Sequence, residues 1–149
     1  MAPAVVLSCL LAGGAPAAEK QLTKSDLPPA VQKSADEQSK GAVIRGYSSE
    51  VDGGALQYEV ATVVAGHSRE VIIAPDGRVL EIEEEVAWSA LPAAVRQGLE
   101  KKAGGSKVTK VESLTKQGKL VAYEAQVDAG GKRSEVQVGP DGNALDREE

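Results

Sequence analysis

Apolar residues recur along this chain with two periods, and the period changes at glycine. Between residues 25 and 41 the spacing is helical, with Leu27, Val31 and Ala35 at i, i+4 and i+8 on one stripe. Ser25 stands ahead as the N-cap candidate, Pro28 and Pro29 occupy the first turn, and Gly41 follows Lys40 as a stop. From Val43 onward the period falls to two. Val43-Ile44-Arg45-Gly46-Tyr47 leads to a Gly53-Gly54 hairpin signal. Leu56, Tyr58, Val60, Thr62 and Val64 then alternate with Gln57 and Glu59, which predicts a strand with the first set on the core face and the second turned outward. Gly66-His67-Ser68 reads as the next turn. Glu70-Val71-Ile72-Ile73 and Val79-Leu80-Glu81-Ile82 flank Pro75-Asp76-Gly77, a turn in which Pro presets φ and Gly allows it to be positive.

The same plan then runs a second time. Ser25-Asp26-Leu27-Pro28-Pro29-Ala30-Val31 matches Ser89-Ala90-Leu91-Pro92-Ala93-Ala94-Val95 at an offset of 64. After one extra residue the offset becomes 65: Tyr58-Glu59 matches Tyr123-Glu124, Glu70-Val71 matches Glu135-Val136, and Pro75-Asp76-Gly77 matches Pro140-Asp141-Gly142. Leu91, Val95 and Leu99 repeat the helical stripe, which Gly104-Gly105 closes. Order kept over this length predicts a duplication. The fold class expected is α+β: two tandem repeats, each a short helix packed on a four-stranded antiparallel sheet, with the two copies sharing one continuous sheet. The boundaries expected are a leader over 1–18, a linker over 19–24, and repeats over 25–85 and 86–149. Trp88, in the connection that follows Glu84-Glu85, is expected to pack where the copies meet.

Composition narrows the function classes. Lys and Arg number 17 against 22 Asp and Glu, a net of −5, with no basic patch, so a phosphate backbone is excluded as the partner and no nucleic acid is expected. Residues 1–18 carry no charged side chain. Val5, Val6, Leu7, Leu10 and Leu11 form a short apolar run, and Ala15-Pro16-Ala17-Ala18 supplies small residues before Glu19. That is the layout of a secretory signal peptide, too short to be a transmembrane span. It lacks a basic first segment, so either the start lies upstream or the leader is a weak one. The one cysteine, Cys9, follows Val6-Leu7-Ser8 and reads either as an ordinary leader residue or as a lipoprotein attachment site. With no other thiol, neither a disulfide framework nor a cysteine-based zinc site is expected. The localisation expected is periplasmic or secreted.

Candidate chemistry is sparse. His67 is the one histidine, and its counterpart in the second copy is Lys132, so a turn residue is expected rather than a catalytic base. No EF-hand spacing occurs, and Gly53-Gly54 and Gly130-Gly131 read as hairpin turns, not phosphate loops. Glu81, Glu83 and Glu85 project to one side of a strand as an acidic edge, either a solvated face or a seat for a divalent cation, with Asp146 and Glu148 at the matching positions of copy two. No enzyme activity, no cofactor and no structural metal are expected.

Leu-Pro-x-Ala-Val at a helix start, Tyr-Glu-Val, then Glu-Val-x-Ile-x-Pro-Asp-Gly and an acidic tail resemble the PepSY-like domains of exported bacterial proteins. These are related to the peptidase-propeptide module and to the beta-lactamase-inhibitor-like fold. The resemblance runs from Ser25 to Glu149 in two copies and implies a helix against a sheet whose other face takes a protein partner. On that reading the expected contact residues are Gln57, Glu59, Glu124 and Gln126, and the partner is an unidentified envelope protein. The alternative expectation is a cation-binding or envelope-stress protein that uses the acidic edge.

Overall fold

The computed structural model describes residues 19–149, so the predicted leader and Cys9 lie outside the described residues. One antiparallel sheet of eight strands runs in chain order: β1 (Lys20–Leu22), β2 (Val43–Asp52), β3 (Ala55–Val64), β4 (His67–Ile73), β5 (Val79–Glu85), β6 (Lys107–Lys116), β7 (Lys119–Ala129) and β8 (Lys132–Val138). Two helices, α1 (Pro29–Gln38) and α2 (Ala93–Ala103), pack on one side of it. The segment expected as a linker over 19–24 contributes β1, paired to β2 with Leu22 opposite Tyr47. Of the connection before α2, Glu84 and Glu85 belong to β5, and Val86 still donates to the Val111 carbonyl at 2.9 Å.

Both helical stripes are buried as their spacing predicts. Val31, Ala35, Val95 and Leu99 are fully enclosed, with Leu27 and Leu91 nearly so. The stripe of α1 meets Val60, Val71 and Ile73, and that of α2 meets Val111, Ala125, Val127 and Val138, giving two separate apolar clusters. Burying each such side chain contributes about 1.5–3 kcal/mol, which holds both helices although neither is long enough to be stable alone. Trp88 packs on the second cluster beside Val86. Ser25 and Ser89 do not cap the helices. Each lies in a short 3-10 turn (Lys24–Asp26 and Trp88–Ala90), and the helices start one turn later, behind Pro28 and Pro92. Pro28 and Pro92 take the N-cap positions themselves and carry no side-chain acceptor, so neither serine stands where it could cap.

Four hairpins turn on two residues with positive φ: Gly53-Gly54, Ala65-Gly66, Gln117-Gly118 and Gly130-Gly131. The turn expected at Gly66-His67-Ser68 is therefore one residue earlier, and His67 opens β4 opposite Val64. The Pro-Asp-Gly turns dock against the helices. A β-carbon on Gly77 would lie 2.8 Å from the Ala30 carbonyl oxygen, and one on Gly142 only 2.2 Å from that of Ala94. Both sites therefore require glycine for space as well as for φ. Unpaired extra residues break the ladder at Arg45 in β2, Leu80 in β5, Thr109 in β6 and Val121 in β7, and such bulges bend a sheet.

The expected fourth strand of the second half is not formed. The turn closes in both halves, through Ala74 to Arg78 and Gly139 to Asn143, each at 2.8 Å. In β5 the residues that then grip the core are Val79 and Ile82. At an offset of 65 the matching residues are Ala144 and Arg147, and this tail has no regular structure. Instead the Glu149 N–H donates to Gln137 Oε1 at 2.9 Å, and its carboxylate lies 3.8 Å from Lys116 Nζ. Asp146 and Glu148 thus belong to no strand, and the acidic edge is not duplicated.

Candidate functional site

Strand parity and register decide which side chains share the sheet face that carries no helix. Glu59 lies across from Ser48 and Ile72, Glu70 from Glu83, and Glu85 from Glu112, which in turn faces Glu124 and then Gln137. With Glu50 on β2, Glu81 on β5 and Glu135 on β8, every strand from β2 to β8 places a glutamate on this face. Gln57 and Gln126 stand there too. Of the expected contact residues, Gln57 and Glu59 sit on β3, with Glu124 and Gln126 four strands away on β7. Glu81, Glu83 and Glu85 project together from β5, as alternation predicts. Their strand is no edge, however: β4 and β6 flank it, and it lies at the middle of the sheet.

The face is partly dry. Glu70, Glu83, Glu112, Glu124 and Gln137 are all buried, and so are Ile72, Leu114 and Ala122 on the same side. The expectation of a solvated acidic run therefore fails at its centre. Burial raises the carboxyl of Glu83 to about 9, with Glu70 and Glu112 adding like-charge repulsion. Glu59 rises to about 8 by burial and then by Glu70. Glu124 rises to about 7 by burial, held back by the amide of Gln137, which donates to Glu124 Oε2 at 2.7 Å. At neutral pH Glu59 and Glu83 thus hold their protons. Glu81 and Glu135 shift upward too, again by burial first.

Two lysines partly compensate. Lys110 Nζ lies 2.5 Å from Glu112 Oε1. Burial alone would lower this lysine, but the hydrogen bond and charge of Glu112, with Glu70 and Glu85, lift it. Lys116 stands 3.8 Å from both Glu81 and Glu149. Glu85 behaves differently from its neighbours. It accepts from the Ser68 N–H at 2.9 Å and the Ser68 hydroxyl at 3.2 Å, which lowers its carboxyl.

His67 is half-exposed, with Nδ1 3.8 Å from Glu85 Oε1. Ser68 and His67 both turn to that carboxylate, so the imidazole does not hold the hydroxyl as a base would hold a nucleophile. Among the described residues no group of three or more His, Cys, Asp or Glu converges to hold a metal ion, and no helix is long and apolar enough to cross a membrane. Reading one strand at a time missed Glu70, Glu112, Lys110 and Gln137. The available signal was parity: Glu70 and Glu112 precede the core residue Val71 and follow the core residue Val111.

No family model and no curated protein matches this chain. Solved structures do. A protein from Bacteroides eggerthii, provisionally described as periplasmic, superposes with a TM-score of 0.66 at 18% identity, over 82% of this chain and 88% of its own. A BLIP-like protein from Bacteroides fragilis gives 0.60 at 22%, over 82% and 86%. A DUF2874 family protein from Bacteroides ovatus gives 0.62 at 17%, over 80% and 84%. The fold is BLIP-like. These identities carry the fold alone.

Proposed function

We propose that this chain is an exported, non-catalytic binding module that takes a protein partner on the sheet face opposite its helices. The observation that carries the reading is the glutamate array, which spans seven strands on the side no helix covers. Glu59 and Glu83 keep their protons at neutral pH, and the glutamates that are ionised still oppose one another across the strands and weaken the sheet. A basic partner surface would relieve that repulsion, and complementary charge also steers encounter. The leader-like segment over 1–18 and a fold neighbour provisionally described as periplasmic support an envelope or secreted setting. The BLIP-like fold agrees with the inhibitor-like resemblance read from the sequence and supports a binding module.

We also read the halves as two PepSY-like copies. The bulges at Arg45 and Thr109 keep the 64-residue offset, and both Pro-Asp-Gly turns meet the first turn of their own helix. The test of function is affinity capture from the native envelope fraction with the protein as bait. Gln57 and Gln126 are partly exposed on this face, and alanine at both is expected to leave the melting temperature within about 2 °C, as surface changes do. Loss of a stoichiometric partner with the double variant supports the reading. A partner retained by that variant, but lost when exposed Lys33 on α1 is changed, places binding on the helix side and ends it.

A further inference from the structure

The two halves differ at one edge. In the first, β5 covers β4, and Val71 and Glu70 are only 0% and 3% exposed. Their counterparts at an offset of 65, Val136 and Glu135, stay partly exposed, because no strand lies beyond β8. The tail that follows turns onto the helix-free face instead, where Glu149 meets Gln137 and Lys116. The two-residue turn at Gly130-Gly131 makes Ala129 and Lys132 a mutually bonded pair, and such pairs alternate along an antiparallel ladder. Lys132, Ser134, Val136 and Val138 therefore bond to β7, while Arg133, Glu135 and Gln137 aim their N–H and C=O groups off the sheet. At the opposite end of the sheet, β1 is three residues long and protected by its shortness. The seven-residue edge of β8 is a template for one more strand.

What that strand must carry is read from β5. Ile82 lies opposite Val71 and packs on the first apolar cluster. Glu85 accepts from Ser68 and stands 3.8 Å from the His67 imidazole. The counterparts of His67 and Ser68 are Lys132 and Arg133, both exposed, and the carboxylate of Asp128 opposite Arg133 accepts from the Gly131 N–H at 2.6 Å. A second β8 would add the same two cations to one short ladder, so the edge favours a strand of opposite sign. We propose that β8 takes an extended segment of a protein partner as an antiparallel ninth strand, with an apolar residue opposite Val136 and a carboxylate opposite Arg133. This surface is separate from the helix-free face, and the inference stands without that reading.

The probe is the peptide acetyl-Val-Leu-Gln-Ile-Gln-Glu-Glu-amide, which keeps the pattern of β5 with glutamine where Glu135 would meet a like charge. Amide exchange of the 15N-labelled protein is followed with and without it. Exchange at Arg133 and Glu135 is expected to slow by about ten-fold or more, with Gln21 on β1 unchanged. A twin N-methylated at the second glutamine, whose N–H would face β8, is expected to give no protection. Arg133→Glu is expected to weaken binding by about ten-fold or more, and Lys33→Glu on α1 to leave it unchanged. No slowing at saturating peptide overturns the proposal, as do equal protection by the methylated twin and wild-type binding by Arg133→Glu. Protection that grows with protein concentration alone assigns the edge to a second copy and also ends it. Shifts confined to Gln57, Gln126 and their neighbours end it too, while leaving the functional reading in place. The two peptides compared on wild type decide the matter even if Arg133→Glu does not fold.

Discussion

Glu83 is the residue at which the account is most exposed to experiment. Its raised carboxyl means that the folded chain holds a proton there which the unfolded chain releases near pH 4.5. Stability therefore falls as pH rises from about 5 toward 9, the reverse of the pattern for a carboxylate held in an ion pair. Each such group changes stability by at most about 1.4 kcal/mol per pH unit within its window. Wild type is expected to melt lower at pH 8 than at pH 5.5, and Glu83→Gln to flatten that slope and melt higher than wild type at pH 8. A slope identical in the variant and wild type would show that Glu83 does not hold a proton. Which face these glutamates take was legible from alternation at Glu59, Glu81, Glu83, Glu85 and Glu124. That they crowd one another was not. The row Glu85, Glu112, Glu124 crosses from β5 to β7, and the register of Glu112 with Glu124 depends on the extra residue Val121 in β7, a bulge that leaves little trace in composition.

Turns and caps show how local steric rules act on whole elements. Gly53 and Gly142 both have positive φ, but only Gly142 is also pressed against a helix carbonyl. Alanine at Gly53 should cost about 1 kcal/mol, from backbone strain alone. At Gly142 it should cost about 3 kcal/mol, because the docking of the turn on α2 is lost as well. Urea unfolding distinguishes the two, and equal losses would mean that the contact with Ala94 carries nothing. Ala65 stands at φ 50 in a two-residue hairpin whose preferred first residue is Asn or Gly. Ala65→Asn is expected to raise stability by about 0.5–1 kcal/mol in the same measurement. Most elements were legible because each combined a period with a stop. The absent ninth strand was not, since its turn is intact and only the exchange of Val79 and Ile82 for Ala144 and Arg147 removes its grip on the core.

At the scale of the molecule, the pairing of β5 with β6 makes one sheet from two clusters. Five residue pairs, from Glu81 with Lys116 to Glu85 with Glu112, couple the halves. A core loss in the first cluster should therefore be felt in the second. Val31→Ala, on the buried stripe of α1, is expected to cost about 2 kcal/mol. It should also lower the midpoint reported by Trp88 fluorescence, although Trp88 packs on the other cluster. An unchanged Trp88 midpoint, with circular dichroism splitting into two transitions, would show independent halves. The continuous sheet was legible from the repeat. Its functional side was legible only as the side without helices, because charge density there depends on how seven strands line up.

The measurement that bears most directly on this account is a side-chain carboxyl titration by carbon-detected NMR, from pH 4 to 10, with the glutamates assigned. Glu83, Glu59 and Glu124 are expected to titrate near 9, 8 and 7, while Glu85, bonded to Ser68, titrates below the ordinary range. That pattern would establish a dry, proton-holding face ready to exchange protons for a partner's cations. Titration of all four between pH 4 and 5 would contradict it, and would leave the glutamates an ordinary solvated surface.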